Sequence, residues 1–426
     1  MKIIIIKFFF IITTVLIFIS SILIRTSNAQ WVELSTGTTA WFWTISSPDN
    51  NTCWVSGNSA TVLRTTNGGI NWQSVGGTSI GTTTLYNIFA VDANTAITSL
   101  RADSSAKVFR TSNGGTNWSQ VFTQRYGFIN SIWMTSSVNG FMMGDPVGGR
   151  WSLWKTTNGG ISWDSAGLRL NQIDTDIGWN NGMYVLGNQI WFVTDTTRLY
   201  YSSNNGSNWS IQSKCDAHSS GKVWFNSPTN GMSSGDTVNY TSNSGTTWVS
   251  AYLQNFLITG LTGKGNYYFV CNSNSPKKIQ MTSNSGLNWI VEYQTTGGNN
   301  LMHMTVSRNG NIGWACTDYG LIIKRTTPIS ITTQSIENPE KYILLQNYPN
   351  PFNPVTRIRY ELPRAGVMRL AVYDVMGREI EMLVNERQAA GSYEAVWDGT
   401  RFASGVYFYR LNAGDFIKTL RMILIK

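Results

Sequence analysis

From about residue 31 to residue 325 the chain alternates apolar and polar positions in short runs, and clusters of Gly, Ser, Thr and Asn interrupt those runs. Alternation with period two predicts strands with one buried face, and the clusters predict tight turns. In one unit the pattern predicts strands over Tyr86–Val91, Ala96–Leu100, Lys107–Thr111 and from Trp118 onward, a four-stranded meander.

An eight-residue pattern ties these units together. Thr65–Trp72 reads TTNGGINW, and the pattern returns at Thr111–Trp118, Thr156–Trp163, Ser202–Trp209, Thr241–Trp248 and Thr282–Trp289. The six tryptophans lie 46, 45, 46, 39 and 41 residues apart, a period that predicts propeller blades. Asn67, Asn113, Asn158, Asn204, Asn243 and Asn284 can bond the backbone inside the turn. Gly69, Gly115, Gly160, Gly206, Gly245 and Gly286 follow where a tight turn demands positive φ. Trp72, Trp118, Trp163, Trp209, Trp248 and Trp289 begin the outgoing strand, each expected to fold over its own hairpin as a staple.

After Trp289 the pattern continues through Trp314 to Thr327 and stops at a third strand. Trp31, 41 residues ahead of Trp72, offers the missing outer strand from the other end of the chain. The prediction is an all-β protein, with a seven-bladed β-propeller over 30–327 closed by its first strand. Residues 328–342 carry prolines and little apolar density and read as a linker. Beyond them, alternating runs at Thr356–Tyr360, Met368–Asp374, Ser392–Trp397, Gly405–Leu411 and Ile417–Ile425 predict a small Ig-like β-sandwich over 343–426.

The first 29 residues are different in kind. Lys2 and Lys7 precede an apolar run from Phe8 to Ile24, and Ser27-Asn28-Ala29 follows, the order of a secretory signal peptide. An uncleaved anchor is the alternative. Of the formal net charge of +9, Lys2, Lys7 and Arg25 fall in this segment, and the remainder is spread without a basic run, which argues against nucleic acid as a partner. Cys53, Cys215, Cys271 and Cys316 allow three pairings, and Cys271 and Cys316 hold equivalent strand positions that suit buried thiols. No spacing suggests a metal site, and nothing calls for a cofactor.

The repeat resembles the Asp-box, or bacterial neuraminidase repeat, of sialidases and related propellers, with Asn where that family most often has Asp. In that family the box is a structural turn remote from the active centre. GLIIKRTT and VLRTTNGGINW also resemble the non-catalytic seven-bladed propellers of the photosystem II assembly factor type, which bind protein partners. The end of the chain resembles the type A C-terminal sorting domain of the type IX secretion system. The match is carried by NYPNPFNP (Asn347–Pro354), Val372-Tyr373-Asp374, Gly377-Arg378, Trp397-Asp398-Gly399, Gly405-Val406-Tyr407 and the terminal Lys426. That resemblance implies an Ig-like fold, contact with the secretion machinery, and a product at the cell surface or outside the cell.

In a four-stranded antiparallel blade, the turns after strands one and three share one face. The box turns therefore line one face of the propeller. The other face is expected to collect Asp103, Asp145, Asp195, Asp236 and Asp318 in the turns between strands two and three. Trp41, Tyr86, Tyr126, Asp176 and His218 are expected beside them, near the starts of innermost strands. Aromatic rings with carboxylates suit stacking on sugars and bonding to hydroxyls, or holding a peptide. A sialidase resemblance would need an arginine triad, a Tyr-Glu nucleophile pair and an acid Asp, yet this region holds only two glutamates, Glu33 and Glu292, both near outer strands. The aspartates leave a secreted glycoside hydrolase or lyase open as the alternative, and an envelope assembly or scaffolding factor as another.

Overall fold

The computed structural model describes residues 31–329 and 341–426, apart from 214–220, 236, 252, 254–256, 296, 365 and 389–390. The signal-peptide segment, most of the linker, Cys215, His218 and Asp236 lie outside the described residues. The strands up to Arg325 form one compact unit and those from Ile343 a second.

The first unit is a propeller of seven sheets. The innermost strands of blades 1 to 7 are Phe42–Ser46, Leu85–Ala90, Ile129–Met134, Gly178–Leu186, Lys222–Phe225, Ile258–Lys264 and Leu301–Val306. Each contacts the next, and the seventh contacts the first, so the ring is closed. Closure comes from Trp31–Ser35, which pairs antiparallel with Leu321–Arg325 and completes blade 7. Trp31 is buried at the seam, its indole N–H donates to Glu292 Oε2 at 2.8 Å, and Arg325 grips the same carboxylate through Nε and Nη2.

The box turn explains its own sequence. In the first box Thr65 Oγ1 accepts the Gly69 N–H at 3.0 Å and Asn67 Oδ1 accepts the Asn71 N–H at 3.0 Å, a pair of bonds repeated in the other five. This shared pair asks the third position only for an acceptor oxygen, which Asn supplies as Asp would, and Asn158 and Asn243 also donate from Nδ2 to Ser162 and Thr247. The fourth position takes positive φ whether it is Gly68, Asn205, Ser244 or Ser285. The fifth is always glycine, because φ lies near +80° there and a Cβ would strike the preceding blade, as at Gly115, where Val75 Cβ would be 2.6 Å away. The Gly68 and Gly114 N–H groups bond Asn51 and Asn94 in the turn between strands one and two, which puts both turns on one face.

The box tryptophans reach further than their own hairpins. Trp118 lies 6.2 Å from Trp54 of the preceding blade and donates to Val75 O at 2.8 Å, Trp72 lies 6.4 Å from Trp314, and Trp289 donates to Ala251 O at 2.7 Å. They are joints between blades, and Trp209 also bonds its own turn, through Gly206 O. Blade 3 departs from the four-stranded expectation. Its fourth strand is reduced to isolated bridges Lys155↔Asp164 and Arg150↔Asn171, because an Asx turn at Asp164 and positive φ at Gly167 break the run between them.

The second unit is a sandwich of two antiparallel sheets. Ile343–Leu344, Val355–Leu362 and Gly391–Asp398 form one; Glu379–Gln388, Gly366–Tyr373, Gly405–Ala413 and Phe416–Leu424 form the other. Trp397, Tyr360 and Tyr409 are buried between them. The NYPNPFNP segment is hooked to the last strand: Phe352 N–H donates to Ile423 O and Ile425 N–H to Phe352 O, both at 2.9 Å. Asp374 Oδ1 accepts the Met376 and Arg378 N–H groups around the Gly377 turn, Tyr407 Oη donates to Ala403 O, and Lys426 Nζ donates to Thr400 O.

Candidate functional site

The face where crossovers feed the innermost strands carries an aromatic band. Trp41, exposed, stacks on Trp43 with centroids 5.5 Å apart; Trp43 meets Tyr86 at 6.1 Å, and Tyr86 meets Phe128 edge-on at 4.9 Å. The band spans blades 1 to 3, because each ring stands at or just ahead of the start of an innermost strand. Trp43 is oriented by its indole bond to Asn58 Oδ1 at 2.8 Å. Tyr126 is exposed nearby in sequence, with Arg125 lying 4.8 Å from its ring centroid.

The carboxylates on this face bond the protein itself. Asp195 Oδ1 accepts the Ile177 N–H and Asp318 Oδ1 the Asn300 N–H, each fixing the residue that leads into its blade's first strand. Asp145 Oδ1 accepts the Gly178 N–H at 2.9 Å from the next blade. Burial raises the Asp145 carboxyl above its ordinary range and the field of Asp195 adds to this, against the lowering effect of the Gly178 bond. Asp103 sits at a turn with φ of 53° and pairs with Lys107 at 2.7 Å. Asp176 is fully buried and held by Arg198 Nη1 at 2.7 Å, Thr196 and Tyr200. Trp41 and Tyr86 are thus brought together through Trp43, whereas Asp103 and Asp176 are engaged in local pairs.

Below this face the channel narrows. A void of about 60 Å³ is lined by Thr44, Ser131, Asn181 and His303 among others, and Trp133, Trp224 and Arg308 line both it and a wider cavity of about 430 Å³ on the box side. Ile45 N–H points at His303 Nδ1, 3.4 Å away, and burial together with nearby Lys222 pushes that imidazole down to about 3, so it stays neutral. Lys222 is itself buried and donates to the Asn180 carbonyl. Trp43, Phe128, Trp133, Tyr184, Trp224, Lys264 and Arg308 were not singled out by sequence. Their signal is positional: Trp133, Tyr184, Trp224, Lys264 and Arg308 recur at intervals of 51, 40, 40 and 44 residues, close to the blade period.

Residues 346–426 match the family model of the secretion system C-terminal sorting domain. No curated protein matches the chain in sequence. Among solved structures the chain is similar to YCF48 bound to D1 peptide, at 14% identity and a TM-score of 0.55 over 70% of this chain and 97% of that one. It is similar to YCF48 from Cyanidioschyzon merolae at 14% identity and 0.55, over 69% and 98%. It is also similar to the WD40 β-propeller domain of Doa1 at 10% identity and 0.50, over 69% and 96%. At these identities the likeness shows the fold alone. The chain is a β-propeller protein carrying a C-terminal sorting domain of the type IX secretion system, which directs it to the cell surface or the extracellular space.

Proposed function

We propose that the propeller is a non-catalytic binding module, exported with the help of an N-terminal signal peptide, whose ligand is a glycan held on the crossover face. The observation that carries this reading is the continuous band Trp41–Trp43–Tyr86–Phe128, open at Trp41 and presenting flat rings across three blades. Such a surface stacks on sugar faces in water, where a carboxylate alone gains little. The engaged states of Asp195, Asp318 and Asp176 support binding without turnover, since a glycosidase needs one free carboxylate and one free acid. A protein ligand is the second reading, supported by the same exposed rings.

The test is incubation of the full chain with a panel of surface polysaccharides, following retention and new reducing ends. Retention without new ends is expected, with Trp41→Ala weakening it about tenfold, the size of one lost stacking contact at about 1–2 kcal/mol. New reducing ends that vanish in Asp145→Asn would overturn the reading in favour of hydrolysis. No retention, with a protein captured instead, would favour the second.

A further inference from the structure

The mouth on the box side is built differently. Five consecutive blades ring its cavity of about 430 Å³: Trp133 from blade 3, Tyr184 from blade 4, Trp224 from blade 5, Lys264 from blade 6 and Arg308 from blade 7. The rings pack as one wall, Trp133 to Tyr184 at 4.8 Å, Tyr184 to Trp224 at 4.5 Å and Trp133 to Trp224 at 5.8 Å. The rim is open at blade 4, since a Cβ added at Gly187, in the bordering hairpin, would meet nothing within 4 Å.

Opposite the wall stand two cations that pair with no carboxylate among the described residues. Arg308 crosses from blade 7 to blades 1 and 2, donating to Ser46 Oγ at 3.3 Å and to the Ala90 carbonyl, with Phe89 4.2 Å from its guanidinium. Lys264 Nζ donates to the Arg308 carbonyl at 2.7 Å. All these partners are neutral, and a guanidinium offers five N–H donors, more than two contacts use. Burial pushes Arg308 down to about 10, with Asp49 opposing, and lowers Lys264 as well. Charge held beside a cavity without a counterion is stabilised by an incoming anion, and a planar carboxylate matches the guanidinium fork.

We propose that this mouth is a second binding site, for a carboxylate-bearing sugar of hexuronate size, with Arg308 and Lys264 holding the carboxylate and the Trp133–Tyr184–Trp224 wall facing the ring. The cavity volume falls in the range of small-ligand pockets, roughly 300–1,000 Å³. Arg308 closes the side toward blades 1 and 2, which leaves a cup suited to one ring and not to an extended chain. The site stands apart from the aromatic band on the crossover face and does not depend on it.

The experiment is calorimetric titration of the full chain with galacturonate, galactose and an acetylated dipeptide bearing a free C-terminal carboxylate. Galacturonate is expected to bind saturably and galactose at least about tenfold more weakly, the effect of losing a charge-assisted contact. Lys264→Gln and Arg308→Gln should each weaken galacturonate about tenfold or more, and Trp41→Ala should leave it unchanged. Lys264→Gln decides the matter if Arg308→Gln does not fold, because the lysine is only half-buried at the cavity edge. Equal binding of galactose, no binding of galacturonate, tighter binding of the dipeptide, or a Lys264→Gln variant that binds like the parent would each overturn the proposal. None of these outcomes touches polysaccharide retention at Trp41, so the two sites fail separately.

Discussion

The two central glycines of a box turn should differ sharply in tolerance, and Gly114 and Gly115 are the pair on which to show it. Both have positive φ, 72° and 87°. Gly114→Asn places there a residue type that Asn205 already supplies at φ of 56° in another box. Its Cβ would approach Arg64 Nη1 to 2.5 Å, the far end of a flexible side chain that can move away. The cost is that of one left-handed residue, about 1 kcal/mol. Gly115→Ala takes a similar backbone cost and in addition drives Cβ to 2.6 Å from Val75 Cβ and 2.9 Å from Val75 O, where the neighbouring backbone would have to shift. Overpacking of that kind costs about 1–3 kcal/mol. Displacing Val75 also weakens the bond it accepts from the Trp118 indole, worth about 1 kcal/mol. Gly115→Ala should therefore lose about 3–5 kcal/mol and Gly114→Asn about 1. Urea unfolding of the full chain, followed by tryptophan fluorescence and fitted as two transitions, measures both, with the sorting-domain transition as an internal reference. If the two variants fall within about 1 kcal/mol of each other, the reasoning that the second glycine is an interblade contact is wrong.

Trp31→Ala removes the seam aromatic and its bond to Glu292, and should cost about 3–5 kcal/mol, with amides of Leu321–Arg325 exchanging faster than those of any third strand elsewhere in the ring. Hydrogen exchange read by mass decides it, and uniform acceleration around the ring would count against a local seam. Burial pushes the Lys222 ammonium down to about 7 in the folded chain, against 10.5 for the free group, so the unfolded chain binds more protons between those values and stability rises with pH across the window. Between about pH 7 and 8.5 the parent should gain roughly 1.5 kcal/mol relative to Lys222→Met, measured as the difference in unfolding free energy. A constant difference would show that the lysine is not buried as a charge.

The architecture was legible because its determinants are local. The repeated turn with its glycine and tryptophan sets blade number, and the truncated third strand ending at Thr327 announced a partner elsewhere, which Trp31 supplied. What the indoles do was less legible, since Trp118 and Trp289 address neighbouring blades and the pattern carries no word on what lies across the joint. The irregular edge of blade 3 was equally hidden, depending on an Asx turn at Asp164 inside an otherwise alternating run. At the channel, Trp133, Tyr184, Trp224, Lys264 and Arg308 sit near the ends of innermost strands, and bulges such as that between Gly178 and Met183 shift which residue points inward. Period alone therefore places them near the channel, and only the register shows that they share one mouth.

The pairing of Ser35 with Leu321 also sets the order in which the protein can assemble. Blades whose four strands are contiguous can form as soon as their own residues are available, each by short hairpins. The last seam must gather two segments almost 290 residues apart, an entropic charge of about 5 kcal/mol by the logarithmic dependence on loop length. If six blades already stand, most of that loop is rigid and its ends are delivered close together, so the toll falls on the earlier steps. Ring closure then behaves as a clasp: it comes last, it adds little search, and it converts a row of separately fraying sheets into a single cooperative body.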